Sequence, residues 1–128
     1  MSLGYVYKLE CIETKRAYVG RTFSKDGIGR KQEHLDMLRR GKHPCKLMQH
    51  DYDAYGSDAF SYEIIEHGDI RSNDVKNCLE KIWMVKLETF DPNHGYNYCD
   101  PYFVNGIRDR KKKRAYVAER YSFPVELL

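Results

Sequence analysis

Apolar and polar positions alternate over residues 5–12, with Tyr5, Tyr7 and Leu9 on one side and Val6 on the other, a strand-like period. Glu13-Thr14-Lys15-Arg16 turns the chain, and Ala17-Tyr18-Val19-Gly20 resumes β-forming residues, so an antiparallel hairpin is predicted within about the first 22 residues. Lys25-Asp26-Gly27-Ile28-Gly29 reads as a loop. A helix follows over residues 30–40 and stops at Gly41, with Pro44 just beyond. On that helix Arg30 and His34, four apart, share a face, while Leu35 and Leu38 share a more apolar one. A second helix is predicted over residues 45–55, with Met48, Tyr52 and Tyr55 on one stripe, ending at Gly56. Phe60, Tyr62 and Ile64 alternate with Ser61 and Glu63, which predicts a third strand.

Asn73-Asp74 then opens the longest predicted helix, where Val75, Leu79, Ile82, Trp83 and Leu87 recur at three- and four-residue spacing as far as about Phe90. Trp83 is expected in the core, and Glu80 sits beside the buried face. Asp91-Pro92-Asn93-His94-Gly95 is a strong breaker cluster. The pattern gives an α+β fold: a small, mostly antiparallel sheet of three strands flanked by helices, followed by a C-terminal extension.

At 128 residues and 15.2 kDa the chain fits one compact domain. Hydrophobic residues make up 41% and charged residues 32%, and no stretch approaches the ~18 consecutive apolar residues of a membrane span, so no membrane partner is expected. The first residues lack the basic and apolar regions of a signal peptide, so a cytoplasmic or nucleoid-associated location is expected rather than secretion. Cys11, Cys45, Cys78 and Cys99 form no CxxC pair and are read as reduced, mostly buried thiols. A zinc site assembled from them with His43, His50 and His67 is the lesser alternative.

The formal charge of +3 is unevenly placed. Residues 108–114 hold six basic residues and one acid, a net +5, so the rest of the chain carries −2. Arg110, Lys111, Lys112, Lys113 and Arg114 suit phosphate backbones through counterion release, against the blander reading of a solvated, disordered end. The amphipathic stretch 115–121 makes the extension either a helix laid on the domain or a segment that orders only on DNA.

Tyr5-Val6-Tyr7, ten intervening residues, and Tyr18-Val19-Gly20 resemble the paired tripeptides that name the GIY-YIG nuclease superfamily. Arg30-x-x-x-His34, Tyr55-Gly56-x-x-x-Phe60, Glu80 and Gly95-Tyr96-Asn97 follow in the order of that family's motifs, spanning about residues 4–98. The resemblance implies a nuclease catalytic domain over residues 1–98, with 99–128 as its basic extension. The sequence departs from the family at Tyr5, where a glycine is usual and Gly4 lies one place earlier. A local adjustment of the strand near Tyr7 is expected.

The residue types suit phosphodiester hydrolysis, which needs a deprotonated water and compensation for charge on the pentacovalent phosphate. Glu80 supplies a hard oxygen ligand for Mg²⁺, or Mn²⁺, with waters and substrate phosphate completing the octahedron. Arg30 offers a permanently charged fork for a phosphate oxygen, and His34 a hydrogen bond to a tyrosine or the attacking water. Resemblance implies that Tyr7 and Tyr18 line the same pocket, one of them acting as general base or positioning the water. Which of them does so is left open.

With eleven tyrosines in the chain, a half-buried packing residue is the default reading for any one of them. Asn97 is expected to fix the loop after the long helix, Gly20 to support the site, and Gly95 to permit its turn. Arg21 is a candidate phosphate contact, and His43, His50, His67 and His94 receive no catalytic role. The expected substrate is DNA, with a homodimer or a partner protein as possible sources of specificity. Homing, restriction and structure-selective repair roles all stay open. The alternative is a catalytically inactive nucleic-acid-binding module of the same fold.

Overall fold

The computed structural model describes residues 3–69 and 78–128. Its central strand, β1 (Leu3–Cys11), pairs antiparallel with β2 (Ala17–Thr22) on one side and with β3 (Phe60–Asp69) on the other, giving the order β2-β1-β3. This is the expected hairpin with its third strand, and four α-helices among the described residues complete an α+β fold. β3 runs beyond the alternation at Phe60–Ile64, because strand pairing uses the backbone and tolerates the polar Glu66 and His67. The His67 ring stacks on Tyr5 at 4.7 Å between centroids. The β1–β3 register shifts between Val6 and Tyr7, so an irregularity lies immediately before Tyr7.

As the middle strand, β1 is covered on both faces. Val6, with Val19 of β2, packs on Met84 of α3 (Leu79–Leu87), where Leu79, Trp83 and Leu87 close around them. Trp83 is half-buried, and its indole N–H donates to the Glu66 carboxylate. On the other face, Leu9 and Cys11 join Leu38 of α1 (Gly29–Arg39) and Leu47 and Met48 of α2 (Lys46–Tyr55) in a larger cluster. Burial at this scale, roughly 1.5–3 kcal/mol for each fully buried large apolar side chain, is what holds the helices to the sheet.

Both early helices end at the glycines that the sequence marks, but α2 buries a different stripe. Leu47, Met48 and Asp51 turn inward, while Tyr52 is half-buried and Tyr55 exposed. The reason is polar: Asp51, 1% exposed, accepts hydrogen bonds from Arg16 (3.1 Å), Thr14 (3.3 Å) and the Tyr96 hydroxyl (2.6 Å). A buried charge needs such partners, and they fix the rotation of the helix. Helix α3 stops at Leu87, where Glu88 takes a left-handed conformation, short of the expected end near Phe90. Its expected opening at Asn73-Asp74 and Val75 lies outside the described residues.

The longest described helix is instead α4 (Arg110–Tyr121), capped by Asp109, whose side chain accepts from the Lys112 N–H at 2.9 Å. Val117 of α4, with Val104, Phe123 and Leu128, belongs to the same cluster as Leu9 and Leu47. The basic extension is therefore a helix laid on the domain. No described helix is long and apolar enough to cross a membrane. The four cysteines are free: Cys11 and Cys78 are buried, Cys45 is half-buried and Cys99 is exposed.

Candidate functional site

Tyr7 and Tyr18 project from the same face of the sheet, because Tyr7 is paired with Gly20 and Leu9 with Tyr18 in an antiparallel register where facing residues share a side. The Tyr7 ring lies across Gly20: a Cβ there would overlap the phenol oxygen and the ring carbon that bears it. Gly20 is thus the space in β2 that lets a buried tyrosine aim its hydroxyl at the edge of the sheet. Tyr62 stacks on Tyr7 from the β3 side, with centroids 5.0 Å apart, and the Tyr7 and Tyr18 rings are 6.1 Å apart. The Tyr62 hydroxyl donates to the Gly27 carbonyl at 2.5 Å, which ties this aromatic group to the loop before α1.

The outer edge of β2 is held by the segment after α3. Asn97 accepts from the Val19 N–H at 2.8 Å and donates to the Val19 carbonyl at 3.0 Å, so its amide substitutes for a strand next to Tyr18. The Tyr96 N–H donates to the Ala17 carbonyl at 2.9 Å. Gly95 has no left-handed backbone. What it provides is close approach, since a Cβ would strike Thr89 and the Ala17 carbonyl.

His34 of α1 comes within 2.8 Å of the Tyr7 hydroxyl through Nε2 and within 2.8 Å of His43 Nε2 through Nδ1. The proton positions follow from the far end of this row. The Cys45 backbone N–H can only donate, and it donates to His43 Nδ1 at 3.0 Å. His43 must then carry its proton on Nε2 and give it to His34 Nδ1. His34 in turn carries its proton on Nε2, so the Tyr7 oxygen accepts a hydrogen bond and the phenol proton is free to point elsewhere. Both imidazoles are held neutral: burial lowers His34 from 6.5 to about 4, with His43 and Arg30 adding to it, and burial lowers His43 to about 4.

Burial drives both catalytic-candidate tyrosines the other way. Tyr7 is raised well above the ordinary phenol range, by desolvation first and then by Tyr18, while Arg30 opposes. Tyr18 is raised by desolvation and then by the Glu80 carboxylate, again against Arg30. Arg30 stands in the first turn of α1, exposed, with its guanidinium on Glu33 at 2.8 Å and its charge felt by Tyr7, Tyr18 and Tyr62. Glu80 stands in the first turn of α3, which packs on β2 from the opposite face, and its charge is felt by Tyr18. Burial raises Glu80 above the usual carboxylate range, and Arg21 and Lys81 pull it down. Arg21 is half-buried beside Glu80.

The structure thus brings Tyr7, Tyr18 and His34 into contact, with Arg30 and Glu80 within electrostatic reach and Gly20 and Asn97 behind them. It adds His43, to which the sequence assigned no catalytic role. His43 lies in the connector between α1 and α2, where no periodicity marks a residue. The only sequence signal is the chain reversal implied by Gly41 and Pro44, which folds the connector back over α1. The basic run divides: Arg110, Lys113 and Arg114 line a cavity of about 430 Å³ that reaches Tyr18 and His34, whereas Lys111 and Lys112 are exposed outside its lining. Among the described residues, no group of three or more His, Cys, Asp or Glu is placed to hold a metal, so the thiols and histidines there form no zinc site.

No family model matches the sequence, and no curated protein matches it. Among solved structures, the fold is similar to the catalytic domain of intron endonuclease I-TevI in a point-mutant form, with TM-score 0.62 and 23% identity over 77% of this chain and 95% of that one. It is also similar to the catalytic domain of the homing endonuclease I-TevI, with TM-score 0.58 and 22% identity over 73% of this chain and 95% of that one. I-TevI is a GIY-YIG nuclease, so the expected fold is the observed one.

Proposed function

We propose that this protein is a DNA endonuclease that hydrolyses phosphodiester bonds with a tyrosine-assisted water and one divalent metal ion, Mg²⁺ or Mn²⁺. The observation that carries this reading is the Tyr7–His34 hydrogen bond beside Tyr18, with Arg30 and Glu80 within electrostatic reach, on a sheet with the I-TevI catalytic-domain fold. An inactive binding module of the same fold is disfavoured, since each of these five positions keeps its chemistry-bearing side chain.

The residues present fit a magnesium ion. Glu80 is a single hard oxygen donor, held uncomfortably by burial as an anion, and a cation at its oxygen relieves that cost. One carboxylate suffices for Mg²⁺, which keeps waters and takes substrate phosphate as further ligands. When bound, the ion supplies Lewis acidity and charge compensation at the phosphate.

This chain's own groups then have separable tasks. The His34 N–H holds the Tyr7 oxygen in a fixed orientation and stabilises negative charge on it once the phenol proton leaves. Arg30, also within electrostatic reach of Tyr7 and Tyr18, favours their ionised forms and offers a phosphate oxygen a permanent charge. His43 keeps His34 in the donor tautomer. Tyr7, with its oxygen accepting from His34, is the better placed of the two tyrosines to position or deprotonate the water.

Supercoiled plasmid incubated with the purified protein tests the proposal. Nicked or linear product is expected with Mg²⁺ or Mn²⁺ and not with EDTA. Equal cutting in EDTA would remove the metal from the reaction.

A further inference from the structure

The cavity between α2 and α4 has a composition that duplex phosphates do not require. Its wall carries four cations, Lys46, Arg110, Lys113 and Arg114, and no Asp or Glu side chain. Pro44, Tyr98 and Leu128 give it an apolar lining, and one end reaches Tyr18 and His34. The amino end of α2 also opens there, with Cys45 supplying no capping hydrogen bond from its side chain.

From this juxtaposition we propose that the cavity takes one nucleotide of a DNA strand, unpaired from its complement and adjoining the cut phosphate, with the sugar and base on the apolar lining and the phosphate on the cations. Three features favour a nucleotide over a backbone phosphate alone. The volume, about 430 Å³, falls within the range of pockets that enclose small molecules. An apolar lining offers nothing to a phosphate but suits the face of a base. Phosphates of an intact duplex ride on a surface, whereas a base enters a cavity only after leaving its stack, which costs least where it is already unpaired. The substrate class is then DNA with an unpaired nucleotide beside the cut, such as a bulge or a single-stranded junction. This rests on the nuclease reading for the position of the cut, but the pocket itself is testable without cleavage.

The full chain is titrated, without metal, with 2′-deoxyadenosine 5′-monophosphate, and separately with deoxyadenosine and with inorganic phosphate, following backbone amide shifts by NMR. The nucleotide is expected to bind at least tenfold tighter than either fragment and to shift residues around Tyr18, Tyr98 and Arg114. Lys113→Gln or Arg114→Gln should weaken it about tenfold. Arg120→Gln, an equal charge loss on the same helix but outside the lining, should change it less than twofold. A duplex with a one-nucleotide bulge should bind about tenfold tighter than its fully paired counterpart. Inorganic phosphate binding as tightly as the nucleotide, absence of nucleotide binding, or equal affinity for the two duplexes would overturn the assignment. Nucleotide binding by a protein that never cuts DNA would leave the pocket standing and remove the nuclease reading instead.

Discussion

Tyr7 is where packing and chemistry meet most tightly. Its ring is 2% exposed, yet its oxygen ends a row of donors that starts at a backbone amide, so the hydroxyl is both buried and oriented. Tyr7→Phe removes only the oxygen and leaves the buried His34 N–H without its acceptor, so cleavage should fall by roughly 10²–10⁴-fold and stability by about 1–3 kcal/mol. Gly20→Ala acts through the same atom from the other side. Its methyl group overlaps the phenol, so stability should fall by about 1–3 kcal/mol in denaturant unfolding, with activity falling as well.

Protonation makes two further tests at this scale. Both tyrosines sit above the ordinary phenol range, so a tyrosine base requires cleavage to climb with pH between neutral and mildly alkaline conditions. A flat profile there would eliminate that role. The histidines give the opposite limb, in stability. His34 and His43 are lowered from 6.5 to about 4, so as the pH falls through that window the unfolded chain takes up protons that the folded chain refuses. Stability present above about pH 6.5 should be lost towards pH 4, by at most about 1.4 kcal/mol per pH unit for each histidine. Melting temperatures across that range check it, and no acid-side decline would contradict the neutral row.

At the scale of elements, the edge of β2 depends on a side chain. Asn97→Ala leaves the Val19 N–H and carbonyl without their partner and should cost about 1–3 kcal/mol, loosening the strand that carries Tyr18. Asp51→Ala strips the half-buried Arg16 of its carboxylate and should cost roughly 3–5 kcal/mol. Local patterns in the sequence made much of this level legible. The hairpin, α1 and α2 announce themselves by alternation, by helical spacing and by glycine stops, and Arg30 and His34 share a helix face by spacing alone. Asp51 was not legible, because its partners come from two distant segments, the turn before β2 and the chain after α3, and a charged residue on a short helix reads as solvated. The inward turn of Leu47, four residues before Asp51, was the available hint. His43 was hidden for a related reason: its role is defined by contacts to His34 and the Cys45 amide across a connector.

For the whole molecule, the basic extension is both structure and surface. Val117, Phe123 and Leu128 place it in the core, so cutting it away would test folding as much as DNA affinity. Neutralising exposed charge separates the two. Lys111→Gln with Lys112→Gln should keep the melting temperature and weaken DNA binding, reducing the slope of log affinity against log salt by about 0.9 for each phosphate that is no longer neutralised. An unchanged slope would assign these lysines no phosphate. The sequence offered a helix laid on the domain beside a segment ordered only by DNA, and could not choose because the basic run over residues 108–114 precedes a sparse apolar face.

The most direct measurement is plasmid cleavage in Mg²⁺ by wild type and Glu80→Ala at matched concentration, with melting temperature and DNA affinity recorded for both. The predicted result is nicked or linear DNA from wild type alone, with folding and DNA binding retained in the variant. Undiminished cutting by Glu80→Ala would contradict a metal-dependent site built on that carboxylate.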